Sequence, residues 1–134
     1  MILFRFSLLL TTAAFAGCAS VSLPPQAANV QVVGMSSISV EVHRPRLMWK
    51  DGELKLEAYA FRQWTAETTA NTHIDVVYLN AAGQALAEET THFAPRSLPR
   101  TMRRPAPRGY LLKPTQLPIG TALIEVRAHD GPHS

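Results

Sequence analysis

Three sets of side chains in this sequence have types and spacings that bear on chemistry. Cys18 is the single cysteine, and it directly follows Phe15, Ala16 and Gly17. Arg96, Arg100, Arg103, Arg104 and Arg108 put five guanidinium groups within 13 residues, among Pro95, Pro99, Pro105 and Pro107 and with no acidic residue between them. His73 and His92, with Asp75, stand on two segments that one hairpin would join. A lone cysteine can form no disulfide within the chain, so its use has to be sought elsewhere. The planar guanidinium fork matches carboxylate and phosphate. Paired imidazoles with a carboxylate suit zinc or copper.

Enzymatic chemistry has no readable basis. A nucleophile needs a base and a group that orients the base. Ser36, Ser37, Ser39 and Ser97 lie in no elbow motif, and no glycine-rich phosphate loop is present. Glu88 and Glu89 are adjacent on a predicted strand, so they point to opposite faces and cannot share a substrate. The metal reading with His73, His92 and Asp75 is kept as the alternative; no His-x-His pair supports it, and Met35, Met48 and Met102 are scattered. The expectation is a chain without catalytic residues, resident metal or cofactor.

The N-terminal segment explains the cysteine. Arg5 supplies a positive charge, and Phe6 to Ala16 is an uncharged, mostly apolar run. That run is much shorter than the roughly 20 residues a membrane-spanning helix needs. It has the length of the apolar region of a signal peptide. Phe15-Ala16-Gly17-Cys18 resembles the lipobox of bacterial lipoproteins, with phenylalanine where leucine is usual. The resemblance implies cleavage between Gly17 and Cys18, a diacylglyceryl group on the Cys18 sulfur and acylation of its amine. One acyl chain holds a protein to a membrane only marginally, and two or more signals hold it stably. Ala19 follows the cysteine where the family's inner-membrane members carry aspartate, which implies the periplasmic face of the outer membrane rather than the inner membrane.

The remaining chain is the size of one domain. With 46% hydrophobic and 17% charged residues it is globular in composition. A net charge of +3, which falls by one with Arg5 removed, is too small to imply nucleic acid. Residues 18–37, with Pro24-Pro25 and no charge, read as the lipidated cysteine and an extended tether. The alternative there is an edge strand over residues 29–33.

From Ile38 the hydropathy has a period of two, the signature of half-buried strands. Ile38, Val40 and Val42 alternate with polar residues until Arg44-Pro45-Arg46 interrupts. Asp51-Gly52 is a hairpin turn. Leu54, Leu56, Ala58 and Ala60 form the inward row of a second strand, which turns Tyr59 and Phe61 outward, beside Trp49 and Trp64. Ile74, Val76 and Tyr78 mark a third strand, Gln84 to Phe93 a fourth, and Thr121 to His129 a last one with Ala122, Ile124, Val126 and Ala128 on one face. Tyr110 to Leu112 suits a short strand in an otherwise irregular stretch. The predicted fold is all-β, an antiparallel sandwich over residues 38–130 with a frayed tail at 131–134.

The Asp51-Gly52 and Ala82-Gly83 turns and the Leu117-Pro118-Ile119-Gly120 approach to the final strand resemble the immunoglobulin-like and fibronectin-like sandwiches of exported bacterial proteins. The whole chain resembles small, uncharacterised proteobacterial lipoproteins. A fold-level resemblance of this kind says nothing about activity; with no catalytic constellation readable, the expectation is a non-enzymatic binding or structural module of the cell envelope, held to the membrane through Cys18. The arginine–proline loop would meet an acidic envelope protein or an anionic lipid.

Overall fold

The computed structural model describes residues 22–100 and 108–132. A single helical turn, α1 (Pro25–Ala28), precedes seven strands: β1 (Gln31–Met35), β2 (Val40–Lys50), β3 (Glu53–Arg62), β4 (Thr72–Leu79), β5 (Ala85–Thr91), β6 (Arg108–Pro114) and β7 (Leu123–Asp130). They form two sheets, ordered β1-β7-β4-β5 and β2-β3-β6. Every pair is antiparallel except β1 with β7. The chain is therefore an all-β, two-sheet sandwich. Among the described residues no helix is long and apolar enough to cross a membrane.

The turns form where the backbone chemistry asks for them. Asp51 and Gly52 both take positive φ, +55° and +77°, which lets β2 reverse into β3 in two residues. Asn80 closes the β4–β5 turn by accepting from the backbone N–H groups of Ala82 and Gln84 at 3.0 and 2.9 Å. The Arg44-Pro45-Arg46 interruption is a bulge within one continuous β2, not the end of a strand. It forms because Pro45 has no N–H to donate to the ladder.

The inner faces carry the alternating apolar rows. Leu54, Leu56, Ala58 and Ala60 from β3 meet Ile74, Val76 and Tyr78 from β4 and Ile124 and Val126 from β7. Phe93 and Leu98 fill one end of this core. Each fully buried side chain of this size contributes ~1.5–3 kcal/mol. β4 departs from the half-buried expectation, because all eight of its residues are buried. It lies inside its sheet, so the side chains of β5 and β7 flank even its outward row.

The chain also joins the fold earlier than a tether over residues 18–37 would allow. Ala27 is buried, and Leu23, Val30 and Val32 pack on the core. β1 then adds to β7 from Gln31↔Leu123 to Met35↔Arg127. The edge-strand alternative is thus the observed one, displaced by two residues. β6 is likewise longer than Tyr110 to Leu112, because pairing with β3 satisfies the backbone on both sides of the tyrosine.

Candidate functional site

The register sorts the loops to two opposite ends. At one end lie the Asp51-Gly52 and Asn80–Gln84 turns, the β6–β7 connection and the arriving chain, where Pro24 and Gln26 line an open groove of about 640 Å³ with Trp49, Leu54, Pro114 and Leu117. At the other end lie the β1–β2, β3–β4 and β5–β6 connections and the end of β7. Arg96, Arg100, Arg108 and the histidines of interest are at this second end.

The start of the β5–β6 connection is pinned rather than loose. Thr69 Oγ1 donates to the Arg96 carbonyl at 3.0 Å and accepts from the Leu98 N–H at 2.8 Å. Ala94 and Tyr110 exchange two backbone hydrogen bonds, each 2.9 Å. Arg62, at the end of β3, donates to the carbonyls of Leu98 at 2.9 Å, of Ala66 at 2.8 Å and of Glu67. Arg100 adds a donation to the Ala66 carbonyl at 3.0 Å. Arg108 lies over the Tyr59 ring, 4.8 Å from its centre. Arg96 is exposed. Arg103 and Arg104 lie outside the described residues, as do Gly17 and Cys18.

The acidic groups nearest in sequence are not where an internal ion-pair network would need them. Glu89 is engaged by Lys113 and by Tyr78, whose hydroxyl donates to it at 2.5 Å. Burial opposes the charge on Glu89, but those two partners hold its carboxyl below the usual range. Asp130 sits at the arginine-bearing end, yet it accepts from Thr72, Ser37 and the Ser39 N–H. Among the described residues, Arg96, Arg100 and Arg108 take part in no ion pair. The second end therefore carries three guanidinium groups outside any ion pair, with Glu67 and Asp130 as the carboxylates near them.

The histidines meet on the outward face of the larger sheet. His73 and Asp75 are two apart on β4, so they share a face. His73 Nε2 stands 3.5 Å from Asp75 Oδ2. The register places His129 of β7 directly opposite His73, with ring centres 4.9 Å apart. His92 follows β5 and shares a surface depression with His73 and Arg96. Its pKa is lowered by burial, and further by Arg96 and His73. The structure thus brings His73 and Asp75 together as the pattern of alternation predicts. It makes His129, rather than His92, the second imidazole of the tight cluster. The sequence held half of the signal for His129: it is out of phase with Ile124, Val126 and Ala128, so it had to face outward.

The aromatic set of β3 occupies the outward face of the smaller sheet. Tyr59 packs on Tyr110 with ring centres 5.3 Å apart, and Phe61 meets His43 edge-on at 4.9 Å. Glu57 is buried among them, bound by Arg46 of β2 and by the Tyr110 hydroxyl at 2.9 Å. The face is a half-buried aromatic and ionic layer; Trp64 is exposed beyond the end of β3, whereas Trp49, paired with Leu54, is turned to the other face at the groove. No protein-family model matches the chain, and comparisons with curated proteins and with solved structures give no match.

Proposed function

We propose that the mature chain is a lipid-anchored, non-enzymatic module of the bacterial envelope that presents its arginine-bearing end to an acidic protein partner. The observation that carries this reading is that Arg96, Arg100 and Arg108, none of them in an ion pair, stand together at the end of the sandwich opposite the arriving chain. Arginine is favoured for such contacts because its fork pairs with carboxylates in two-pronged geometry. The pinned backbone from Ala94 to Leu98 lowers the entropy lost on docking.

Anchor position favours a protein over a lipid surface. Cys18 stands only four residues before Ser22, where the described chain begins. Even fully extended, such a link reaches about 15 Å. A strand the length of β4 spans about 26 Å. A lipidated Cys18 would therefore hold the hairpin end towards the bilayer and the arginine-bearing end away from it, on the periplasmic side of the outer membrane.

Strand order supports the immunoglobulin-like part of the reading. β2-β3-β6 follows the A-B-E order, and β4 beside β7 follows the C-F pairing. β1 stands, in parallel, where the last strand of that fold would pair.

The test uses the full-length chain with Cys18→Ala, purified in detergent, and two probes: an acidic polypeptide (poly-glutamate) and vesicles of anionic phospholipid. Arg96, Arg103 and Arg104 are reversed to glutamate together, which spares the contacts of Arg100 and Arg108. The expected result is salt-sensitive binding of poly-glutamate by the parent, lost in the triple variant at nearly unchanged melting temperature. Binding that survives this reversal and the further reversal of Arg100 and Arg108 would remove the arginine-bearing end as the contact. For the lipidated protein in vesicles, arginine-dependent protection of this end from soluble reagents would show that it faces lipid, and would overturn the orientation.

A further inference from the structure

We propose that His73, Asp75 and His129 form a binding site for one divalent transition-metal ion of the zinc and copper class, through two imidazole nitrogens and one carboxylate oxygen, with a position left open to solvent.

The donor atoms are already gathered. One ligand atom from each of the three residues lies within 4.8 Å of the others. Ligands on a four-coordinate zinc, at ~2.0–2.2 Å from the metal, lie about 3.3 Å from one another. The His73 Nε2 to Asp75 Oδ2 separation of 3.5 Å is thus near the required spacing before any metal enters. Rotation of the His129 side chain, which is exposed, is the main adjustment left.

The scaffold under these side chains is a pair of strands each hydrogen-bonded on both sides. β4 and β7 are the two inner strands of the larger sheet. Their register runs unbroken from Thr72↔Asp130 to Leu79↔Leu123, which fixes His129 opposite His73. The carboxylate is oriented as well. Thr90 Oγ1, on β5, donates to Asp75 Oδ1 at 2.9 Å, leaving Oδ2 towards His73. An outer partner of this kind aims a carboxylate ligand in metal sites. Arg127 is the cross-strand neighbour of Asp75, but its guanidinium is directed onto Glu125, with Nε 2.8 Å from Oε2.

Donor chemistry selects the ion. Two imidazoles and one carboxylate suit zinc, copper or nickel, whereas calcium and magnesium ask for an all-oxygen shell. His73 and Asp75 are buried while His129 is exposed, so the site is sheltered on one side and reachable on the other. That leaves room for a water or for a ligand from a partner. His92, on the far side of His73 and beside Arg96, lies outside the three-residue set.

The experiment titrates zinc ion into the full-length chain carrying Cys18→Ala, so that the thiol cannot contribute, and then repeats it with His129→Ala, Asp75→Asn and His92→Ala. Cobalt ion serves as the spectroscopic probe. The expected result is one zinc per chain and a melting temperature raised by a few degrees at saturation. Affinity falls at least tenfold in His129→Ala and in Asp75→Asn, and stays within about threefold in His92→Ala. The cobalt form should show the visible bands of low coordination with nitrogen and oxygen ligands. The metal-free melting temperature of each variant is measured beside its titration, and a variant that is folded at the titration temperature yet binds no zinc reports lost ligation. Absence of binding at ~1 mM zinc, far weaker than any built site, would overturn the proposal. So would equal binding by parent and His129→Ala, or a loss confined to His92→Ala.

Discussion

Tyr110 of β6 donates its hydroxyl to Glu57 of β3 at 2.9 Å, across the outward face of the smaller sheet. Arg46 of β2 takes the other carboxylate oxygen, so one buried side chain ties all three strands of that sheet together. Replacing Glu57 with alanine leaves a sheltered hydroxyl without its acceptor and a guanidinium without its partner. Arg46 is itself largely exposed, so water replaces part of its loss. The expected destabilisation is ~1–3 kcal/mol, read by urea unfolding at neutral pH.

The same carboxylate sets a pH dependence. Hydrogen bonding from Arg46 is the main cause that holds the Glu57 carboxyl below its ordinary value of 4.5; burial acts against it. For Asp130, burial also opposes the charge, but the hydrogen bonds from Thr72, Ser37 and Ser39 outweigh it and hold it below 3.8. A group whose folded pKa is depressed adds stability that is complete above its unfolded value and is lost as pH falls through the folded one. The parent should therefore hold a constant unfolding midpoint from neutral pH down to about pH 5 and lose stability below it. The combined variant Glu57→Gln, Asp130→Asn should show a flatter acid limb. An equally steep limb in that variant would assign the acid loss to other carboxylates.

Arg62 joins two loops that are distant in sequence, through the carbonyls of Ala66 and Leu98. Lysine at this position keeps the charge but cannot reach both loops with a rigid fork. Arg62→Lys should cost ~1–3 kcal/mol. It should also speed tryptic cleavage after Arg96 and Arg100, since the restraint on that segment is released. Unchanged cleavage with reduced stability would show that the contacts of Thr69, Arg100 and the Ala94–Tyr110 bridge hold the loop without Arg62.

Gly109 is glycine for lack of space, not for its backbone angles. A β-carbon built there would stand 2.5 Å from Cδ2 of the buried Phe93 ring. Gly109→Ala should destabilise by ~1–3 kcal/mol, the range for overpacking a filled core. Combined with Phe93→Leu, the cost should be less than the sum of the two single variants, because both act on one contact. Additive losses in a double-mutant cycle would mean that the chain moves elsewhere to admit the methyl group.

The anchor is checked by intact mass of the protein purified from membranes. The expected mass is that of a chain beginning at Cys18 plus its acyl groups, with the modification absent in Cys18→Ala. An unmodified mass with a free thiol would make this a soluble exported protein and return Cys18 to the set of candidate metal ligands.

What the sequence by itself determined is what adjacent residues can encode. Alternation at Ile74, Val76 and Tyr78 or at Ile124, Val126 and Ala128 fixes a strand and its inward face, because successive side chains must point to opposite sides. Asp51-Gly52 fixes a hairpin, because few other residues tolerate positive φ at both positions. From these came the two-sheet, all-β architecture and the pairing of His73 with Asp75 on one face. Only the tertiary structure decided which strands lie side by side. A short run such as Gln31–Met35 carries no mark of its parallel partner β7, and nothing near Glu57 announces Arg46 or Tyr110. The meeting of His73 with His129, 56 positions apart, and the gathering of the arginines opposite the arriving chain depend on register between distant segments. That register is set by which rows of apolar side chains fill one another's gaps in the shared core, a property of the whole chain rather than of any window within it.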